Sequence, residues 1–218
     1  MTRPTILAPL ALPAIVLLAG CIPEPADTDP QSSFFAALAS HCGKAFAGEL
    51  VSDDAADADL VGADMVMHVR ECSDSEIKVP FHIRGADGEW DRSRTWVFTR
   101  TDQGLRLKHD HRHEDGKPDA VTMYGGDTAD SGAPRSQSFP VDDESIALFQ
   151  REGLDASVTN VWTVEVDPAG AEGAGYAYQL QRTVAGGAPE ERFFRAEFDL
   201  TEEVATPPSP WGFDEAGS

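Results

Sequence analysis

Basic residues are scarce in this sequence: 17 lysines and arginines stand against 38 acidic residues, for a formal charge of −21. Such a surface repels phosphate backbones, which argues against nucleic acid as a partner, and it repels anionic lipid headgroups as well. Cysteine is scarcer still, with three in 218 residues and no CxxC pair, so a thiolate metal site lacks its usual framework. The chain has no GxSxG, HExxH or SxxK and no phosphate-binding glycine loop. Their absence removes the motif evidence for the common hydrolases and nucleotide-binding enzymes. The apolar stretch Ile6 to Leu18 is broken by Pro9 and Pro13. It is also shorter than the about 20 residues that a membrane-crossing helix needs.

That stretch has another use. Arg3 precedes it and Leu18-Ala19-Gly20-Cys21 follows it, an arrangement of positive, apolar and small residues that reads as a secretory signal over residues 1–20. The four residues ending at Cys21 resemble the bacterial lipobox. The resemblance implies cleavage before Cys21, acylation of its thiol, and a membrane partner held through lipid, since two or three acyl chains bind stably where one does not. Ile22 stands where an Asp would favour retention at the inner membrane, so the same resemblance implies the periplasmic side of the outer membrane. Residues 21–33 then serve as the lipidated cysteine and a flexible, proline-rich linker, residues 34–204 as one β domain, and residues 205–218 as a loose Pro-rich tail with Trp211 as its expected anchor. With Cys21 acylated, Cys42 and Cys72 are the two thiols left in a compartment where disulfides persist, and they are expected to pair.

Within the domain, Ser33 to His41 has a capping serine and helical spacing, with Gly43 as its stop. The period then changes to two. Strands are expected over 45–51, 65–71, 76–83, 94–100, 104–113, 120–124, 160–166, 176–182 and 192–200, with a loop over 125–135 and a short helix over 143–152. In the third strand Ile77, Val79, Phe81 and Ile83 share one face while Lys78, His82 and Arg84 share the other. Nine or ten strands at hairpin spacing, one or two short helices and no βαβ alternation predict a mainly β domain. An antiparallel lipocalin-like barrel or a sandwich meets that description.

The blocks MVMHVRECSDSEIKVPFHI, RSRTWVFTRT, GLRLKHDHRHEDG, VTMYGG and PPSPWG resemble a group of bacterial secreted proteins that has no assigned activity. The resemblance spans roughly residues 34–212 and implies one intact domain.

The densest candidate site is Lys108-His109-Asp110-His111-Arg112-His113-Glu114-Asp115. On a strand, His109, His111 and His113 share a face with Leu105 and Leu107. Neighbouring imidazoles of such a row, about 6.6–6.8 Å apart at the backbone, can chelate one transition metal such as zinc, with His68 or His82 as a third ligand. The competing reading is a polar strand end beside a hairpin. No other cofactor is indicated. Glu114, Asp115 and Asp119 surround Gly116 without the alternating acidic spacing of a calcium loop. Asp130-Ser131-Gly132-Ala133 spells the nucleophile loop of retroviral-type aspartic proteases, but Gly-Gly-Asp-Thr-Ala precedes it where an apolar strand is required. Trp96, Phe98, Trp162, Tyr176, Tyr178, Phe194 and Phe198 lie at strand spacing, suited to a core or to the lining of a barrel cavity for a small apolar ligand. The expected function is a membrane-anchored lipoprotein that binds a small ligand or serves the envelope without catalysis. The alternative is metal binding or metal-dependent catalysis at the histidine row.

Overall fold

The structure, a computed structural model, describes Met1 and residues 29–213. The signal, the lipobox and Cys21 lie outside the described residues. Helix α1 runs Pro30–Ala39, beginning three residues before the expected Ser33 and inside the segment read as linker. The cause is local. The Asp29 carboxylate accepts from the Ser32 amide at 2.9 Å, and Pro30 occupies the first helical position, where its missing N–H costs nothing. Phe34, Phe35 and Leu38 of α1 are buried.

Eleven strands follow: β1 Ala45–Leu50, β2 Met65–His68, β3 Glu71–Cys72, β4 Glu76–Arg84, β5 Trp90–Thr101, β6 Gly104–His111, β7 Tyr124–Asp127, β8 Ser136–Pro140, β9 Val161–Val166, β10 Gly175–Arg182 and β11 Arg192–Val204. All pair antiparallel. The sheet order is β7-β6-β5-β4-β2-β1-β11-β10-β9-β8, with the short β3 beside β4. Neighbours in the sheet are thus neighbours in the chain, except that β2 pairs β4 past the short β3 and that β1 pairs β11, joining the first strand to the last. The result is a nearly closed up-and-down barrel, the first of the two expected architectures. Its interior follows the pleat: Ile77, Val79, Phe81 and Ile83 of β4, Trp162, Val164 and Val166 of β9, and Phe194, Ala196, Phe198 and Leu200 of β11 all belong to one buried cluster.

The seam lies between β7 and β8. One bridge, Gly126 to Val141, and a hydrogen bond from the Asp142 amide to the Gly125 carbonyl at 3.0 Å close it. A Cβ on Gly126 would stand 1.7 Å from the Pro140 carbonyl oxygen, and one on Gly125 1.9 Å from that of Leu107. Only glycine lets three backbones meet there. This corrects the expectation of a strand over 120–124 and a loop over 125–135. The small residues that suggested a loop are what the seam requires. Strand β8 was not expected either, because in Ser-Gln-Ser-Phe-Pro a single apolar side chain, Phe139, reaches the core. Helix α2, Asp143–Arg151, is capped by Asp142, whose carboxylate accepts from the Ser145 amide at 2.8 Å.

The two ends of the barrel differ. Helix α1 lies across one: Phe34 packs on Phe98 with ring centroids 6.3 Å apart, Arg100 sits 4.2 Å over the Phe35 ring, and the Gln31 carboxamide donates to Thr128 and Asp130. The Cys42–Cys72 disulfide ties the exit of α1 to β3, as expected. Closing this loop of sequence separation 30 stabilises the fold by about 3–4 kcal/mol in the chain-entropy picture. The opposite end is flanked by two 3-10 turns, Ala55–Leu60 and Asp155–Thr159.

Residues 205–213 differ from the expected loose tail. They lie on the outer face of the sheet, where the His82 imidazole donates to the Pro208 carbonyl at 2.9 Å and Arg92 to that of Ser209 at 2.8 Å. The Trp211 amide donates to the Arg92 carbonyl, Pro210 is buried, and the Phe213 ring lies within 5.6 Å of Arg70, Lys78 and Arg112. Prolines limit the entropy lost when such a segment is ordered, and cations over an aromatic face add attraction. No helix among the described residues is long and apolar enough to cross a membrane.

Candidate functional site

Strand β6 carries Leu105, Leu107, His109 and His111 towards the interior in turn, and the last two arrive at the open end. His109 is fully enclosed. Its Nδ1–H donates to the Tyr124 carbonyl at 3.1 Å, and its Nε2 accepts from the Tyr178 hydroxyl at 2.7 Å. The ring also stacks on Tyr124, with centroids 4.7 Å apart at 13°. Burial first, and the neighbouring His111 second, push its pKa down to about 3. The neutral ring is the form that can donate at one nitrogen and accept at the other.

The second imidazole, His111, meets the Tyr124 hydroxyl through Nε2 at 3.1 Å. Burial, then the charge of Arg94, lower it to about 4, while burial raises Tyr124 to about 12. The chain Tyr178–His109–Tyr124–His111 therefore carries no net charge at neutral pH.

The histidine row is not gathered at one point. His113 lies beyond the end of β6, its side chain 59% exposed and its Nε2 3.6 Å from Asp119. His82 and His68, considered above as third ligands, stand on the other side of the sheet wall. Phe81 and Ile83 of β4, and Met65 and Met67 of β2, take the inward positions, so the alternating His82 and His68 face out. His82 is committed to the Pro208 carbonyl. Among the described residues, no group of three or more His, Cys, Asp or Glu is placed to hold a metal ion.

What the open end does contain is two adjoining lobes of free volume that share His111, Tyr124, Tyr178 and Leu180 in their linings. One lobe, of about 210 Å³, lies against Trp96, Phe81, Phe194 and the turn residues Asp57 and Leu60. The other, of about 270 Å³, lies against Phe149, Trp162, Asn160 and Arg182. An apolar cavity of about 150 Å³ is enough to take benzene, so each lobe has room for a ring.

The charged groups of the first lobe are already matched. Arg94 binds Asp91, and Arg192 binds Asp57 at 2.6 and 2.7 Å and Asp54 at 2.9 Å. Hydrogen bonds from the Ala56 and Phe193 amides, with Arg192 beside them, lower Asp54 to about 2. The second lobe is different. The terminal nitrogen of Arg182 reaches Glu190, itself 69% exposed, while its Nε is buried with no partner among the described residues. Asn160 is 4% exposed, and its Oδ1 is likewise buried without a partner. An unmet buried polar group costs about 1–3 kcal/mol, so this lobe holds unused hydrogen-bonding capacity.

Three depressions are larger: two, of about 460 and 560 Å³, lie over β9, β10, β11 and β1, and one of about 500 Å³ lies beside Trp90, Arg92 and Trp211. In the first of them Arg195 binds Glu165 and Glu197, and Arg135 binds Asp167, each at 2.7 Å. The mouth, where aromatic walls meet unmet buried polar groups, is the better candidate.

Arg94, Asn160 and Arg182 were not singled out in the sequence, although a signal was present. Each lies two residues from an inward side chain (Trp96, Trp162 and Leu180) and so shares its face. Following the alternation past the last apolar residue of each strand finds all three. No protein-family model and no curated protein matches the chain.

Proposed function

We propose that this protein is a membrane-tethered module outside the cytoplasm that binds a small, largely apolar molecule in the open mouth of its barrel, without catalysis. The observation that carries the reading is the two-lobed cavity, walled by aromatic rings and left with unmet polar groups at one side. Sites of this kind combine an apolar wall with a few placed polar groups that set orientation. The two imidazoles brace Tyr124 and Tyr178. For His109 to ligate a metal, it would have to give up one of its two hydrogen bonds. The tether rests on Leu18-Ala19-Gly20-Cys21. Because α1 lies across the closed end, Asp29 enters the domain at that end, opposite the mouth.

Two measurements test this. Cys21→Ala should abolish labelling by palmitate and release the protein from the membrane fraction, and undiminished labelling would overturn the tether. Ligand-observed NMR with single-ring aromatic compounds should show saturable binding that Leu180→Trp removes, since Leu180 borders both lobes. The fold of that variant is checked by circular dichroism. No saturable binding of any such compound to the unmodified protein would overturn the binding reading.

A further inference from the structure

We infer that the molecule bound in the mouth is a neutral, planar ring compound that presents an amide edge, an N–H and a C=O side by side, to Asn160. The inference rests on the small-ligand reading above and narrows it to a chemical class.

Asn160 directly precedes β9, two residues before the inward Trp162, and so reaches the second lobe at its polar side. Its backbone is held on both sides: the amide donates to the Ser157 carbonyl at 3.1 Å, and the carbonyl accepts from the Val141 amide at 2.9 Å. The side chain thus sits at a defined place, 4% exposed, and its Oδ1 is buried without a partner among the described residues. A carboxamide offers one acceptor and a donor group together. Which of its two ends is oxygen does not matter, since either orientation presents the same pair.

The complement of that pair is another amide edge. A carboxylate has acceptors alone and leaves the Asn160 oxygen unmet, and a hydrocarbon leaves both ends unmet. Arg182 adds a second donor, its buried Nε, along the same lobe, suited to the second lone pair of a carbonyl oxygen. The charge of Arg182 is already turned to Glu190, Asp119 borders the lobe, and the chain carries −21 overall, so an anion is the poorer occupant. Tyr124, Phe149, Trp162 and Leu180 supply the walls for a flat ring.

Benzamide, benzoate and toluene share one ring and differ at the edge, which makes them the probes. By calorimetry on the purified protein, benzamide should bind at least about tenfold tighter than either of the others. Asn160→Leu should bring benzamide to the level of toluene. Asn160→Asp, which keeps the volume and turns the donor–acceptor pair into acceptors alone, should lose the same preference and serves if the leucine variant does not fold. Equal binding of the three probes, preference for benzoate, or a benzamide preference that survives in a folded variant would overturn the amide-edge inference while leaving the small-ligand reading in place. Binding of none of the three would overturn both.

Discussion

The two ends of this barrel are built by the same alternation of side chains and come to opposite results. At the closed end, Phe34 and Leu38 of α1 meet Phe98 and Phe139, and the contacts are apolar. At the open end, the inward positions pass from Trp96 to Arg94, from Leu107 to His109 and His111, and from Tyr178 to Leu180 and Arg182. The first arrangement draws its stability from apolar area removed from water. In the second, each polar group must find a partner, and those that do not weaken the fold while offering something to a ligand. Stability and function are thus concentrated at opposite ends of one sheet.

The sharpest break in this comparison is expected at the plug. Phe34 is 0% exposed, and Phe34→Ala should cost about 3–5 kcal/mol in urea unfolding, the range for a buried phenylalanine left as a cavity. A loss below about 1 kcal/mol would show that α1 is not what holds that end.

At the mouth the expected loss is smaller. Tyr178→Phe keeps the ring and removes the hydroxyl that donates to His109, leaving Nε2 buried and unmet at a cost of about 1–3 kcal/mol. If the variant matches the unmodified protein in stability, the hydrogen bond does not support the site.

The mouth should also respond to acid. In the fold His109 and His111 stay neutral down to about 3 and about 4, while in the unfolded chain each takes up a proton near 6.5. Unfolding below pH 6.5 therefore binds protons, and stability falls as the pH drops from about 6.5 towards 4. The same direction holds for His68 and His82, which burial also lowers. His111→Asn should accordingly flatten this dependence without abolishing it, by up to about one proton, as measured by denaturant unfolding across that window. An unchanged slope would place His111 in water.

The smallest effect belongs to the end of the histidine row. His113 is exposed and 3.6 Å from Asp119, so His113→Ala should change stability by less than about 0.5 kcal/mol. A larger loss would mean that the row acts as a unit.

Much of this was readable beforehand. Period-two patterns placed Ile77 to Ile83 and Leu105 to His111 on their faces, because a pleated strand sends alternate side chains to opposite sides whatever it pairs with. The cysteine count pointed to the Cys42–Cys72 pair. The errors arose where local chemistry is ambiguous. Gly125 and Gly126 look like a loop until two other backbones are brought against them, and Asp29-Pro30 looks like linker until it caps a helix. The prolines of 205–213 suggest a loose tail until His82 and Arg92 donate to the carbonyls of Pro208 and Ser209.

The sequence by itself determined most of the strands, the side of the sheet their residues take and the acidic composition, of which the first two depend on neighbours a few residues away. The tertiary structure alone decided that β1 pairs β11, that α1 closes one end, and that His109 meets Tyr178 across 69 residues of chain. Alternation is indifferent to which end of a strand is covered. That is settled by non-local pairing, and with it whether a row of histidines becomes a surface, a metal site or the wall of a cavity.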